Sequence, residues 1–275
     1  MTLDVLMISK NNAYYFQNLF MLVLDKLERF GVNFYIYENN STDKTGYLLR
    51  KLSQQHSNLT VWNESSKVYL NRYVNICQAR NRLLDLYQEE LKNKKKEGTE
   101  WILLLDTNIL FHPELISEML ALPYKYPSGN MFCPFTRYYN ERHQTSQYYY
   151  DLLALNYGDY FKQPGSDKLE FTHLFPDNPE VGEIQTGFGG LCLIKSDILL
   201  NLRWKMLRPQ QVKNATISKF ILCEHWLWCE NIRKTGKIYM YNTQKCIWFM
   251  DSVLEDLNQN KKFCQYLVIE KYLVI

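Results

Sequence analysis

The segment WILLLDTNIL at residues 101–110 constrains the fold more than any other part of this sequence. Its first five residues are apolar without a polar interruption, which is typical of a strand covered on both faces in the middle of a parallel sheet. Asp106 ends the apolar run, and Asn108 follows two residues later. Because a buried carboxylate is costly unless something binds it, the segment also predicts a ligand at this point.

Strands and helices are predicted to alternate through the first half of the chain. Short apolar runs predict the strands, and apolar residues at helical spacing predict the helices between them. The predicted strands are 3–9, 33–38, 59–62, 101–106 and 130–135, and the predicted helices are 14–30, 45–56, 74–91 and one that begins at Pro113. This order indicates an α/β fold with right-handed crossovers and a mostly parallel sheet covered by helices on both faces.

Polar side chains follow several of the predicted strands. They are Ser9, Glu38 to Ser41, Asp106 and Asn108. Since ligands of such sheets bind beyond the carboxyl ends of the strands, this placement predicts a shared binding site at that edge.

The alternation stops after residue 135. Residues 136–182 are rich in Tyr, Asn, Asp, Pro and Gly, and so long an irregular stretch suggests a functional segment rather than a simple connection. Residues 183–199 predict a strand that is interrupted by glycines and leads into a helix, residues 223–236 a helix, and residues 237–242 a strand. No linker divides the chain, so a single domain is expected.

The composition limits the classes of partner. A formal net charge of +3 gives no field for nucleic acid, so no nucleic-acid partner is expected. Aromatic residues make up 15% of the chain, with 21 tyrosines, and these either line a surface for amphipathic ligands or enlarge the core. Scattered cysteines without CxxC spacing, no signal peptide and no apolar run of about 18 residues predict a soluble, cytoplasmic protein without a transmembrane segment.

Asp106 and Asn108 are candidate ligands of a divalent cation. On an extended segment, residues i and i+2 point the same way, so their oxygens can meet one ion. Mg²⁺ and Mn²⁺ keep several waters and take one or two protein ligands when they carry a diphosphate. The alternative is that Asp106 caps a turn through its own backbone.

Two earlier segments carry further candidates. Glu38 ends the second predicted strand, where an acid can accept hydrogen bonds from a base or a ribose hydroxyl, although Asn40 and its neighbours also suit a local turn and helix cap. Arg80 lies on a predicted helix beside apolar residues, and its guanidinium fork matches diphosphate oxygens. A surface salt bridge is the alternative for Arg80.

Two later motifs complete the set. TGFGG at residues 186–190 has three glycines in five residues, which either brings the backbone close to another group or forms a tight bulge. Glu224 and His225 stand at the start of a predicted helix among tryptophans and a cysteine. A carboxylate in an aromatic pocket suits a general base, and a carboxylate stabilised by the helix dipole is the alternative.

The order of these motifs resembles the GT-A glycosyltransferases. A first strand that ends in Ser, a second that ends in E-N-x-S-T-D-x-T, a helix with A-R-N-x-x-L, an apolar run that ends in D-x-N, then G-F-G-G and E-H follow one another over residues 2–250. Within those enzymes the chain is most similar to the family related to the α-mannosyltransferases of the cryptococcal capsule, and to the capsid-glycan glycosyltransferases of large DNA viruses.

The resemblance implies a GT-A fold over residues 1–275 with a small antiparallel sheet on the acceptor side. Residues 1–135 would bind the nucleotide-sugar and residues 136–275 the acceptor. The implied nucleotide-sugar-binding residues are Ser9, Glu38, Asn40, Arg80, Asp106, Thr107 and Gly189, and the implied acceptor-binding residues are Tyr138, Tyr139, Tyr149 and Trp226. Asp106, Asn108 and His225 would hold Mn²⁺ or Mg²⁺, although Asn108 stands where the family has an aspartate.

The implied reaction moves a sugar from a nucleoside-diphosphate sugar, such as UDP-xylose, UDP-galactose or UDP-glucose, to a hydroxyl of a glycan or glycoprotein, as in viral capsid glycosylation. With Glu224 as the base, the anomeric centre would be inverted. The alternatives are a retaining transferase, an inactive carbohydrate-binding protein on the same fold, and a nucleotidyltransferase. The last would need a glycine-rich loop after the first strand, which ISKNNAYYF lacks.

Overall fold

A computed structural model describes most of the chain. The described residues are 2–20, 23–24, 27, 30–69, 71–112, 114–139, 145–149, 171, 175–178, 180–205, 224–243 and 245–248. Among the helices of these residues, none has the length and apolar character needed to cross a bilayer.

An eight-stranded sheet forms the centre of the molecule. Its strands are, in spatial order, β3 (Leu59–Glu64), β2 (Val32–Asn39), β1 (Leu3–Ser9), β4 (Trp101–Leu105), β10 (Leu191–Lys195), β6 (Gly129–Pro134), β11 (Lys237–Tyr241) and β9 (Val181–Ile184). β10 runs antiparallel to both of its neighbours and β9 runs antiparallel to β11, while the other neighbouring strands are parallel. The predicted mostly parallel sheet is therefore confirmed.

Helices pack on both faces of this sheet. The described helices are α1 (Ala13–Asn18), α2 (Thr45–Gln55), α3 (Arg72–Lys94), α4 (Glu114–Lys125), α5 (Ser196–Asn201) and α6 (His225–Arg233). Alternate residues of β4 enter different cores, because Leu103 and Leu105 belong to one apolar cluster and Ile102 and Leu104 to the other. All four are buried, which explains why this strand lacks polar alternation.

The longest described helix, α3, begins at a side-chain cap. The side-chain Oδ1 of Asn71 accepts hydrogen bonds from the backbone N–H groups of Tyr73 and Val74, which satisfies donors that have no partner within the helix. Its buried residues recur at helical spacing and include one charged side chain, Arg80. The helix ends at Lys94, and the capping residue Lys95 has a φ of 49° in the left-handed region.

A buried carboxylate ties α3 to the amino-terminal end of the sheet. Asp4 of β1 is fully buried and accepts hydrogen bonds from the Tyr87 hydroxyl at 2.6 Å and the Asn33 amide at 2.8 Å. The Lys96 ammonium lies 3.9 Å from the same carboxylate. This network lies at the end of the sheet opposite Ser9, so we interpret it as structural.

A second, four-stranded sheet follows the order β5 (Ile109–Phe111), β12 (Cys246–Trp248), β7 (Arg137–Tyr139) and β8 (Thr145–Tyr149). Two of its three strand pairs are antiparallel, and β12 pairs with β7 in parallel. The resemblance implied a small antiparallel sheet, and this sheet differs from it only in the one parallel pair, although sequence patterns did not predict the individual strands. β5 follows β4 after three residues, so residues 106–108 form the link between the two sheets.

Candidate functional site

Asp106, Thr107 and Asn108 connect the last residue of β4 to the first residue of β5. The Asp106 backbone N–H donates to the Gly190 carbonyl at 2.8 Å, which fixes the link against the strand that follows the glycines. The Asp106 side chain is 28% exposed and accepts a hydrogen bond from Arg80 at 3.4 Å. Its carboxylate therefore faces a partner outside its own turn, unlike the turn-capping alternative.

A cleft of about 490 Å³ opens at the carboxyl ends of β1, β2 and β4. This volume lies within the usual range of about 300–1,000 Å³ for small-molecule sites. The predicted site residues that line it are Ser9, Asn40, Arg80, Asp106, Thr107 and Asn108. Among the described residues, those that line the cleft come from positions 8–108 of the chain. The strand ends thus meet at one cleft, as the pattern of polar residues predicted.

Basic side chains outnumber acidic ones in the cleft. Lys10, Arg72 and Arg80 line it together with Asp106. Burial raises the pKa of the Asp106 carboxyl, and the nearby Glu224 adds to this effect, while Arg80 and Arg72 oppose it. The excess of positive charge makes the cleft suitable for an anionic ligand.

Asparagines shape the walls of the cleft. Asn11 and Asn40 have φ values of 56° and 55°, a conformation that asparagine tolerates better than most residues. The Asn11 side-chain oxygen accepts from the Thr42 N–H at 2.8 Å, and the Asn40 amide donates to the Ser66 carbonyl at 3.0 Å. These hydrogen bonds hold neighbouring loops together around the opening.

Glu38 does not line the cleft in the structure. Its side chain is buried, and its carboxylate accepts a hydrogen bond from the Ser41 N–H at 2.9 Å. This contact corresponds to the local turn that the sequence offered as the alternative for this segment.

Arg80 lies at the centre of a buried ionic cluster and is itself only 8% exposed. Its Nη2 donates to Asp106 Oδ1 at 3.4 Å, and its Nη1 lies 3.6 Å from Glu224 Oε1. Nη1 also lies 2.8 Å from His225 Nε2. The guanidinium thus joins α3, the link after β4 and the start of α6, and the surface salt bridge considered for Arg80 is absent from its described contacts.

Aromatic rings cover the guanidinium of Arg80. Its central carbon lies 4.7 Å from the ring centre of Phe188 and 5.5 Å from that of Trp204, within the range of cation–π contacts. Asn81 holds Trp204 in place, because its amide donates to the Trp204 carbonyl and its oxygen accepts from the Trp204 N–H, both at 2.9 Å. The adjacent residues of the A-R-N motif therefore supply both the cation and the anchor of its aromatic cover.

His225 accepts a hydrogen bond from Arg80. An arginine carries only donors, so the ring nitrogen beside Nη1 must offer a lone pair and the imidazole is neutral. Burial lowers the pKa of His225 to about 3, and Arg80 lowers it further than Glu224 raises it. The ring also stacks on Phe188 with centres 4.5 Å apart. In this orientation Nε2, the ring nitrogen nearest Glu224, already accepts from Arg80. The ring therefore does not suit the role of metal ligand that was predicted for His225.

Glu224 stands directly before α6 with a side chain that is 6% exposed. Its Oε1 lies 3.4 Å from His225 Nε2 and 3.6 Å from Arg80 Nη1. It is not among the residues that line the cleft. The structure therefore brings Glu224 close to Arg80 but not to the surface where a donor would lie.

The TGFGG segment contacts Thr136 and the link that follows β4. Gly189 and Gly190 have φ values of 64° and 73°, which glycine adopts without strain. The Gly189 carbonyl accepts from the Thr136 hydroxyl at 2.8 Å, and the Gly190 carbonyl accepts from the Asp106 N–H. Gly189 does not line the cleft, so its contact with a donor remains a prediction.

The predicted acceptor residues are placed only in part. Tyr138, Tyr139 and Tyr149 lie on β7 and β8, but their side chains are outside the described part of the structure. Trp226 is half-buried on α6.

Among the residues lining the cleft, sequence patterns missed Lys10, Arg72, Asn75 and Val68. Lys10 directly follows Ser9 at the end of β1, so it belongs to the same strand end. Arg72 lies eight positions before Arg80 on α3, roughly two helical turns away. Extending the helical face of Arg80 towards the start of the helix would have identified Arg72.

No protein-family model matches the sequence, and no curated protein matches it either. Solved structures match over most of the chain. S. aureus TarS residues 1–349 in complex with UDP-GlcNAc has a TM-score of 0.52 and 14% identity, covering 91% of this chain and 59% of its own. The mannosyltransferase PcManGT from Pyrobaculum calidifontis in complex with GDP-Man and Mn²⁺ has a TM-score of 0.51 and 11% identity, covering 89% and 56%. GalNAc-T7 with UDP, GalNAc and Mn²⁺ has a TM-score of 0.56 and 13% identity, covering 91% and 44%.

The chain has a GT-A fold. At these identities the likeness concerns the fold, and the chain spans between 44% and 59% of the length of these structures. The fold predicted from the order of motifs is thereby confirmed, whereas the likeness to cryptococcal and viral families stays a prediction.

Proposed function

We propose that the protein is a glycosyltransferase that binds the diphosphate of a nucleotide-sugar in the cleft at the ends of β1, β2 and β4. The observation that carries this proposal is the position of Asp106, a partly exposed carboxylate beside Arg80 at the edge of a basic cleft. The GT-A fold supports it, since matching structures hold UDP-GlcNAc, GDP-Man or UDP.

The basic residues of the cleft are the proposed phosphate ligands. Lys10, Arg72 and Arg80 all line it. Charge-assisted hydrogen bonds from these groups would stabilise the negative charge that develops on the leaving diphosphate. The Ser9 and Thr107 hydroxyls lie beside them and supply neutral donors.

Asp106 and Asn108 fit a divalent cation that would share the diphosphate. Both line the cleft, and together they offer one carboxylate and one amide oxygen, the hard donors that Mg²⁺ and Mn²⁺ prefer. Within the described residues no group of three His, Cys, Asp or Glu side chains could hold a metal by itself, so phosphates and waters would complete the coordination. When bound, the cation supplies charge neutralisation of the leaving group. We leave His225 out of this set because its ring accepts from Arg80.

The proposed acceptor is a hydroxyl of a glycan or glycoprotein, and the donor is a UDP-sugar such as UDP-xylose, UDP-galactose or UDP-glucose. The described residues that line the cleft come from the first half of the chain, and we assign the acceptor to the second half, with Trp226 and the tyrosines of β7 and β8. An inactive carbohydrate-binding protein on this fold is the second candidate, and Asn108 favours it because an amide is a weaker cation ligand than a carboxylate.

Binding of nucleotides tests the first half of the proposal. Thermal unfolding is measured with UDP or GDP, with and without MnCl₂, and a stabilisation of about 2.7 kcal/mol is expected at a hundredfold excess over Kd. The Asp106→Asn variant should lose the part of this stabilisation that depends on Mn²⁺. Asp85→Asn, which removes a half-exposed carboxylate paired with Arg203, is the matched control and should behave like the wild type.

Release of UDP from a panel of UDP-sugars tests the second half. An enzyme releases UDP in a reaction that Asp106→Asn abolishes. Binding of UDP without release from any donor, even with glycan acceptors present, favours the inactive binding protein. A wild-type protein that neither UDP nor GDP stabilises refutes the proposal.

A further inference from the structure

We infer that Glu224 is a positioning residue, which holds Arg80 away from full pairing with Asp106 and so keeps Asp106 available to a cation and diphosphate. This inference rests on the proposed function. It assigns Glu224 a different role from the proton acceptor that the sequence predicted.

The contacts of Arg80 show how the two acids share it. Glu224 and His225 meet Nη1, and Asp106 meets Nη2. The contact with Asp106 runs to a single oxygen, Oδ1, at 3.4 Å, which is long for a charged hydrogen bond. An arginine with one carboxylate partner can form a bidentate pair with both oxygens, as Arg82 does with Glu64 at 2.7 and 2.9 Å. The groups on Nη1 therefore keep Arg80 from closing onto Asp106.

The charges of the cluster point the same way. Two carboxylates, those of Asp106 and Glu224, share the guanidinium of Arg80, and the ring of His225 is neutral. When a cation arrives at Asp106, Arg80 keeps a carboxylate partner, Glu224, on its other side. If Glu224 were neutral, Asp106 would be the sole acid beside Arg80 in the described cluster, and the cation would have to compete with the guanidinium for it.

The surroundings of Glu224 do not favour proton transfer. A general base must come within about 2.6–3.2 Å of the hydroxyl it deprotonates, directly or through one water. The Glu224 side chain is 6% exposed, does not line the cleft, and faces the guanidinium of Arg80 and the ring of His225. Its described neighbours are the groups it would orient.

Isothermal titration calorimetry of the Glu224→Gln variant tests the inference. UDP, and separately GDP, is titrated into the protein in the presence of MnCl₂. We expect the variant to bind at least about tenfold more weakly than the wild type, because one charge of the cluster is lost. Glu230→Gln removes an exposed carboxylate from the same helix, α6, and should leave the affinity unchanged. Glu224→Asp keeps the charge and should recover most of the affinity.

The pH profile of UDP release separates positioning from proton transfer. A positioning residue lowers kcat/KM in Glu224→Gln in step with the weaker binding and leaves the limbs of the profile in place. Unchanged affinity for Mn²⁺ and UDP, with kcat reduced and the limb of the base lost, would identify Glu224 as the proton acceptor and overturn the inference. If Glu224→Gln does not fold, the same comparison of changes in Kd and in kcat is made on Glu224→Asp.

The two proposals fail in different ways. If the wild type binds neither UDP nor GDP with Mn²⁺, the proposed function fails and the role of Glu224 fails with it. If the wild type binds and Glu224→Gln binds equally well, the role of Glu224 alone is refuted.

Discussion

Two arginines of α3, two residues apart, should differ sharply in their contribution to stability. Arg82 forms a bidentate pair with Glu64, but the two side chains are 41% and 33% exposed, and such pairs contribute about 0.2–1 kcal/mol. Arg80 is 8% exposed and is shared by Asp106 and Glu224. Removing one member of a buried charge cluster costs about 3–5 kcal/mol, since the remaining charges lose their partner. Arg80→Met should therefore be several times more destabilising than Arg82→Met.

Urea unfolding of the two variants at pH 7 measures this difference. Methionine keeps most of the apolar volume of the arginine stem, so the comparison reports mainly on the lost charge. The dependence on pH gives a second check. Burial raises the pKa of Asp106, and Arg80 lowers it. Removal of Arg80 should therefore raise the pKa of Asp106 further. An acid whose folded pKa lies above its unfolded value loses stability as pH rises through the folded pKa. The cost of Arg80→Met should thus grow from pH 4 to pH 7.

Equal costs for the two variants, both below about 1 kcal/mol, would refute the interpretation of Arg80 as the centre of the cluster. A cost of Arg80→Met that does not change with pH would show that the acids beside it are solvated after all.

Three further predictions concern separate parts of the structure. Tyr87→Phe removes a hydrogen bond to the buried Asp4 and should lower the free energy of unfolding by about 1.5–3 kcal/mol in urea. Asn108→Asp adds a carboxylate to the cleft and should tighten Mn²⁺ binding in calorimetry by about tenfold, whereas an unchanged Kd would mean that this side chain is not a ligand. The ring of His225, with its pKa lowered to about 3, should stay neutral at pH 5 in NMR spectra, where its signals are assigned by their loss in His225→Gln.

The fold was predictable where burial shows directly in the sequence. β4 is apolar throughout, and β1 is apolar except for Asp4 and Ser9, because both faces are covered, and their predicted positions agree with the structure to within one residue. β5 and β12 were not predictable in the same way. Each has three residues, too few for a pattern, and they pair across more than a hundred positions of the chain. Their existence depends on the tertiary structure rather than on local preference.

The candidate site was also predictable only in part, for the same reason. Asp106 and Arg80 could be singled out because each interrupts an apolar pattern, and the structure brings them into contact. The cover of Arg80 by Phe188 and Trp204 could not be predicted, since both rings come from residues more than a hundred positions away. The neutral state of His225 was also hidden from the sequence, because it follows from the direction in which Arg80 donates.

The sharing of Arg80 between two acids implies that the protein gives up stability to keep Asp106 available. Burial raises the pKa of Asp106 more than Arg80 lowers it, so keeping this carboxylate ionised costs the folded protein stability relative to the unfolded chain. Asp106→Asn keeps an oxygen that can accept from Arg80, and Glu224 remains as the charged partner of the guanidinium. The variant should therefore be as stable as the wild type or more stable at pH 8 in urea unfolding, with the difference shrinking as pH falls and the wild-type acid takes up a proton. It should at the same time lose Mn²⁺-dependent nucleotide binding, since the amide is a weaker ligand. A variant clearly less stable than the wild type at pH 8 would mean that Asp106 serves the fold rather than a ligand.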